Sequence, residues 1–410
     1  MSATLPALRR ELDIMPSPVP GQPGLFIRDP FRYSDAMIVI PPVLVQGLGH
    51  FDGTKTELDL HAFFTRLTGG DVRVGETVRH LIDTLRKGGF LDSPEFHEMR
   101  DRKHKEFAEA EQRAPAHAGS GYPDQAELLR SQLSRYGADP EPAHQGENSL
   151  TAITAPHVSP EGGYQSYAAA YRRLNADYAD KTFVILGTSH YGAPERFGLT
   201  RKPYVTPFGP LSTNVEIVDQ LARQAPDAVE MEDYCHSSEH SIEFQCIFLQ
   251  HVLGRHDIKV APILCGPFAE SLTNGTAPEK NEKVRRFFDA LSELDAKLGN
   301  RLVWVLGIDL AHIGRRYGDD FAAKAGQGRL LETRRLDEAR LERVCAADAE
   351  GFFELVKPNR DELRWCGYSP LYTFLAAVPA IKGNVLRYEQ WNIDDQSVVS
   401  FAGMEFHRTG

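Results

Sequence analysis

The chain has 410 residues, a formal net charge of −11, and a hydrophobic fraction of 41%. Its length points to two domains with room for a large core, and an acidic balance without a long like-charge block argues against a nucleic-acid surface. No apolar run approaches the roughly 20 residues of a membrane span, the opening MSATLPALRRELD lacks a signal peptide's apolar core, and the scattered cysteines, with no CxxC pair, point to reduced thiols in the cytoplasm rather than a zinc knuckle.

In chain order, residues 25–40 read as short strands, LFIRDP and AMIVIPP, around a turn at 33–35. Helical patterns follow over 43–51, 57–67 and 75–85, the last closing on Lys87 and a glycine stop. Strands followed by three small helices predict a small α+β module of winged-helix type. The order of its elements and the phrase RDPFRYSD resemble the PqqD-like family of peptide-binding modules; a packing or dimerisation appendage is the alternative. Residues 94–113 read as a charged linker helix, 114–122 as a glycine- and alanine-rich loop, 124–136 as a helix and 139–148 as a polar loop. The predicted domains are therefore 1–112 and 113–410. From Leu150 onward, strand-like runs (151–154, 183–186, 258–264, 302–306) alternate with helical ones (164–174, 214–224, 241–253, 279–298, 333–346). Alternation of this kind predicts an α/β fold, a central mostly parallel sheet covered by helices on both faces. Extended runs over 385–406 are expected to add antiparallel strands at its edge.

Three of the strand-like runs deliver a histidine at their C-terminal ends, where open α/β sheets place ligands and chemistry. SLTAITAPH ends in His157, KTFVILGTSHYG carries His190 just after Gly187, and RLVWVLGIDLAH ends in Asp309 and His312. Together they suggest a metal or acid–base site; singly, each also reads as a loop histidine. In SSEHSIEFQ, Ser238 reads as a helix N-cap ahead of Glu239 and His240. His240 and Glu243 share a helix face and either enter the pocket or complement the helix dipole; the spacing is not the HExxH of zincins. Asp309 can fix the tautomer of His312 or close a turn with it. Cys366, in RWCGYSPLY, precedes a helix start at Ser369 and Pro370, a position that lowers a thiol's pKa. Its alternative is a small buried hydrophobe, the reading given to Cys235, Cys246, Cys265 and Cys345.

The segments APHVSPEGGY, ILGTSH, YVTPFGPL, EHSIEFQ, the D-x-x-H of Asp309 and His312, and CGYSPL follow the motif order of the Memo family. HAGSGY at 117–122 resembles that family's opening HAGSWY, so the resemblance runs over roughly 115–408. It implies a fold similar to the class III extradiol dioxygenases, which use non-haem iron. It implies a metal site of two histidines and a cysteine, carried onto His157, His190 and Cys366. The catalytic motif positions fall on Glu239, His240, Asp309 and His312, with His240 and His312 as proton carriers. The sequence departs from the family where APHAGY becomes APHVSPEGGY, SHH becomes Ser189, His190 and Tyr191, and a CH pair becomes Ala311 and His312. The implied cofactor is iron first, with copper or zinc as alternatives, because a soft thiolate suits all three. Loading requires neutral imidazole and thiolate, so affinity should fall in acid. The implied partners are a radical-SAM protein and an AMMECR-type protein, in an AmmeMemoRadiSam-type system of which this chain would be protein B. Redox or oxygenase-like chemistry stands first, beside a non-catalytic adaptor and a zinc hydrolase using metal-bound water.

Overall fold

A computed structural model describes residues 4–71, 73–139, 150–255 and 257–409; the loop expected over 139–148 lies, apart from Asp139, outside them. The chain divides into two compact units, Met1–Glu109 and Ala110–Gly410. In the first, β1 (Asp13–Pro16), β2 (Leu25–Arg28) and β3 (Met37–Ile40) form an antiparallel sheet in that order. The helices α1 (Pro42–Val45), α2 (Glu57–Leu67), α3 (Val74–Lys87) and α4 (Pro94–Glu109) follow. Thr56 and Asp59 close a reciprocal capping box at the start of α2. Leu81, Ile82 and Leu85 of α3 meet Leu60, Phe64 and Ile27 in the core. The single helix expected over 43–51 is instead α1 and a 3-10 turn, Leu48–His50. Gly47 joins them, seated so close to the Phe64 ring that a Cβ would overlap its edge. The strand β1 escapes prediction because DIMP has no alternation to read.

The second unit begins with α5 (Ala126–Arg135), β4 (Leu150–Ala155), α6 (Pro160–Tyr171), β5 (Thr182–Thr188), β6 (Phe197–Leu199), β7 (Tyr204–Thr206), β8 (Gly209–Thr213), α7 (Val215–Gln224) and β9 (Val229–Met231). It continues with α8 (His240–Leu253), β10 (Lys259–Cys265), α9 (Ala269–Asn274), α10 (Glu282–Leu298), β11 (Leu302–Gly307), β12 (His312–Gly314), α11 (Arg329–Cys345), α12 (Ala349–Val356), α13 (Tyr368–Ala377), β13 (Ile381–Asp394) and β14 (Ser397–Arg408). The sheet runs β12-β14-β4-β11-β5-β10-β6-β9, with β13 on β14 and β8 on β10. Its centre, β4-β11-β5-β10, is parallel.

Alternating side chains divide the core into two layers. Val184, Leu186, Trp304 and Ile263 pack with α7, α10, α12 and α13 on one face. Phe183, Ile185, Val305 and Val260 pack with α5, α6 and α8 on the other. Burial on both faces explains why these strands read as unbroken apolar runs. The C-terminal segment forms the long β13–β14 hairpin, and β14 adds to the sheet antiparallel to β4. Among the described residues no helix is long and apolar enough to cross a membrane.

Candidate metal centre

The parallel register brings the strand ends level, with Gly307 opposite both Ala155 and Gly187. His157, His190 and Asp309 each stand two residues beyond β4, β5 and β11 respectively. The start of α8 reaches the same edge because two strand positions lack a Cβ. A Cβ on Gly187 would lie 2.6 Å from Ile242 Cγ1, and one on Gly307 would overlap the Ser241 carbonyl oxygen. That approach carries Glu239 and His240 to the strand ends. On the far side Gly367, where a Cβ would lie 2.6 Å from the Asp309 carbonyl oxygen, lets the segment bearing Cys366 close in. The Thr188 hydroxyl fastens this segment by donating to the Cys366 carbonyl at 2.9 Å.

Two triads of ligand-type atoms result, each with its atoms within 4.8 Å of one another: His157, His190 and His240, and His157, Asp309 and Cys366. The hydrogen-bond partners fix the tautomers. His157 Nδ1 lies 3.0 Å from the Gly307 carbonyl oxygen and must donate to it, which leaves the Nε2 lone pair 3.2 Å from Cys366 Sγ. His190 Nδ1 donates to Glu239 at 3.0 Å, and His240 Nδ1 lies 3.2 Å from the same carboxylate. Glu239 also accepts from the backbone N–H groups of His190, His240 and Ser241. One buried carboxylate thus orients two imidazoles, the support that metal-binding histidines ordinarily have. Asp309 Oδ1 accepts from the His157 and Val158 N–H groups, and Oδ2 stands 3.4 Å from His157 Nε2.

Burial and charge pull against each other across this cluster. Burial opposes a charged His190, but the Glu239 carboxylate and the Cys366 sulfur outweigh it and hold the ring well above the usual histidine range. Burial would also raise Glu239; the facing His190 and His240 reverse this and hold it well below. Burial, then the neighbouring His190 and His240, push His157 well below. Burial lifts the Asp309 carboxyl to about 7 against its two backbone donors.

Two expectations from sequence need correction. The Cys366 thiol is raised, not lowered: burial dominates, and the pull of His190 does not cancel it. Glu243 does not enter the pocket. It is fully buried, paired with the Arg113 guanidinium and the Tyr122 hydroxyl, and accepts from the Ala116 and His117 N–H groups. The pair anchors residues 113–122, which the sequence marked as a loop and the opening family motif without assigning it to the site, and sets His117 with its ring 5.6 Å from that of His240. The other sites fall as follows. His157, His190, His240, Asp309 and Cys366 gather in the two triads, with Glu239 behind His190 and His240; the expected ligands are split between the triads, His190 in one and Cys366 in the other, with His157 shared, and His312 is outside both. Its Nδ1 lies 2.9 Å from the Leu310 carbonyl oxygen, and burial pushes the ring down to about 4. A cavity of about 340 Å³ opens beside His190 and Cys366.

The comparisons with known proteins bear on the unit that holds this cluster. A family pattern described as "Memo-like protein" matches residues 113–405. A "MEMO1 family protein" of Aquifex aeolicus is 24% identical over 93% of this chain and 95% of its own length. MEMO1 family protein TK1477 of Thermococcus kodakarensis is 28% identical over 72% of this chain and 99% of its own. MEMO1 family protein PF1638 of Pyrococcus furiosus is 29% identical over 66% of this chain and 89% of its own. The crystal structure of an uncharacterized protein, JW3007 of Escherichia coli K12, overlays 62% of this chain and 99% of its own at 13% identity, with a TM-score of 0.38. The family pattern covers well over half of the residues and encloses every side chain of the imidazole and thiol cluster, so this chain belongs to the Memo family.

Proposed function

We propose that the chain is a metalloprotein with redox or oxygenase-like function, its metal held by His157, His190 and Cys366, working with a radical-SAM protein and an AMMECR-type protein. The observation that carries the metal site is the fixing of tautomers. The Nδ1 atoms of His157 and His190 are spent on the Gly307 carbonyl and on Glu239. Each ring therefore turns its Nε2 toward the space beside the Cys366 sulfur, that of His157 as a lone pair and that of His190 as one once its proton is released. Two imidazoles and a thiolate suit iron, copper or zinc and leave positions open to other ligands. A metal there would supply Lewis acidity and, for iron or copper, a one-electron couple.

The surrounding residues then have separable tasks. Glu239 keeps His190 and His240 aligned. Asp309, poised at about 7, holds or releases a proton 3.4 Å from His157 Nε2. His312, neutral at physiological pH, offers a second proton acceptor next to the cluster. The alternative is an adaptor in which the first unit recruits a partner. It is favoured by the Aquifex relative matching 93% of this chain while the Thermococcus relative, matched over 99% of its own length, covers 72%. The first unit is thus an addition that some relatives share.

Anaerobic metal analysis of the native chain beside Cys366→Ala and His190→Ala separates these readings. The expected result is about one iron or copper per native chain, as the ligand set implies, with loss in both variants. Full occupancy in both variants overturns the ligand assignment, and a metal-free native chain leaves the adaptor. Zinc with ester hydrolysis and no oxygen uptake favours the hydrolase.

A further inference from the structure

We propose that the cavity beside His190 and Cys366 binds the carboxylate end of a small organic acid with an apolar body. The proposal rests on the metal-site reading for its function but on different residues for its evidence. The cavity, about 340 Å³, opens on the cluster itself, since His190 and Cys366 are part of its wall. Its size suits a small molecule rather than a polymer. One side is apolar, made by Pro267, Phe268, Leu272 and Trp365.

The charge on the lining is the informative part. Two guanidinium groups and one carboxylate belong to the wall: Arg360, Arg364 and Asp361. Asp361 is already taken by Arg340 at 2.7 Å and by the Trp365 N–H at 2.5 Å. Arg364 is neutralised by Asp319 at 2.5 Å and also donates to the His312 carbonyl. Among the described residues Arg360 has no ion-pair partner, in a protein whose formal charge is −11. It is presented from a run of left-handed backbone, with φ of 53° at Asn359, 55° at Arg360, 63° at Asp361 and 54° at Arg364. Such conformations persist in non-glycine residues only where the surroundings impose them.

Two further features of the wall favour oxygen anions. The ten-residue helix α13 begins at the cavity through Tyr368 and Ser369 with no side-chain cap, so its positive end is uncompensated. Ser189 and Tyr368, 4% and 3% exposed, are wall residues whose hydroxyls have no hydrogen-bond partner among the described residues. With the protonated His190 offset by Glu239 and Arg364 by Asp319, one unpaired guanidinium remains, which matches a single negative charge and selects a carboxylate over a phosphate dianion.

The test uses the full chain, as isolated and after chelation, with phenylacetate, its neutral isostere phenylacetamide, and phenyl phosphate as ligand-observed NMR probes. Phenylacetate is expected to bind about tenfold more tightly than phenylacetamide in both preparations, the gain typical of a charge-assisted contact. Arg360→Gln, an exposed position, should erase that preference and leave phenylacetamide binding unchanged, while Arg360→Lys retains part of it. Equal affinities for acid and amide, no binding of either, or an acid preference that survives Arg360→Gln would overturn the proposal. Tighter phenyl phosphate binding would overturn the choice of carboxylate. Acid binding that vanishes on chelation yet ignores Arg360→Gln would assign the carboxylate to the metal, sinking this inference and leaving the metal site intact. Acid binding that needs Arg360 but persists in Cys366→Ala supports the cavity even where the metal reading fails.

Discussion

Glu239 accepts from two imidazoles and three backbone N–H groups, and it is 1% exposed. A carboxylate so placed determines which nitrogen of each ring faces the cluster and keeps His190 protonated before any metal arrives. The sign of the pH dependence follows. His190 is held above its ordinary range and the Cys366 thiol is also raised, so both carry protons near neutrality. Loading must expel them, so affinity climbs as pH rises and falls in acid, with about two protons released per metal. Calorimetry of metal loading in buffers of different ionisation enthalpy should read about two protons for the native chain; loading without proton release contradicts this account. At this scale the sequence made His157, His190 and Cys366 legible because their neighbours mark strand ends and a helix start. It left the thiol's direction and the partner of Glu243 illegible. Arg113 stands 130 positions from Glu243, and burial is a property of the folded neighbourhood, not of RWCGYSPLY.

Elements matter here through how closely they approach. The N-terminus of α8 lies over β5 and β11 where Gly187 and Gly307 leave room, and Gly367 does the same for the segment before α13. Gly307→Ala forces a Cβ onto the Ser241 carbonyl, a backbone atom that cannot swing aside, so α8 must shift. Overpacking of this kind costs about 1–3 kcal/mol. Denaturant unfolding should show that loss together with reduced metal content, because Glu239 and His240 ride on the displaced helix end. Unchanged stability and metal content would contradict the close-approach argument. The long buried strands β4, β5, β10 and β11 were legible as unbroken apolar runs, and α8 as a helix, although its N-cap is Glu239 and not the expected Ser238, which closes the preceding 3-10 turn. The strands β6, β7, β9 and β12 were not, since each has three residues, too few for a period to show. The expected edge strands at the C-terminus proved to be one hairpin, because the residues from Ile381 pair with β14 along nearly its whole length.

On the scale of the whole molecule, the chain is two compact units, and the Memo-like pattern lies in the second. Alternation of apolar runs and amphipathic stretches made the covered parallel sheet readable, and three histidines at strand ends marked which edge carries the chemistry. What the second unit reacts with was not readable, because the cavity wall is assembled from β5, the segment after β10 and the loop before α13, stretches more than 70 residues apart. The central claim is that distant stretches place two imidazole nitrogens and one sulfur on a single metal. X-ray absorption at the metal edge of the anaerobically purified chain tests it most directly. The account predicts one sulfur scatterer at about 2.3 Å, as for a zinc thiolate, lost in Cys366→Ala, beside at least two imidazoles. A shell of nitrogen and oxygen alone, unchanged in that variant, would contradict it.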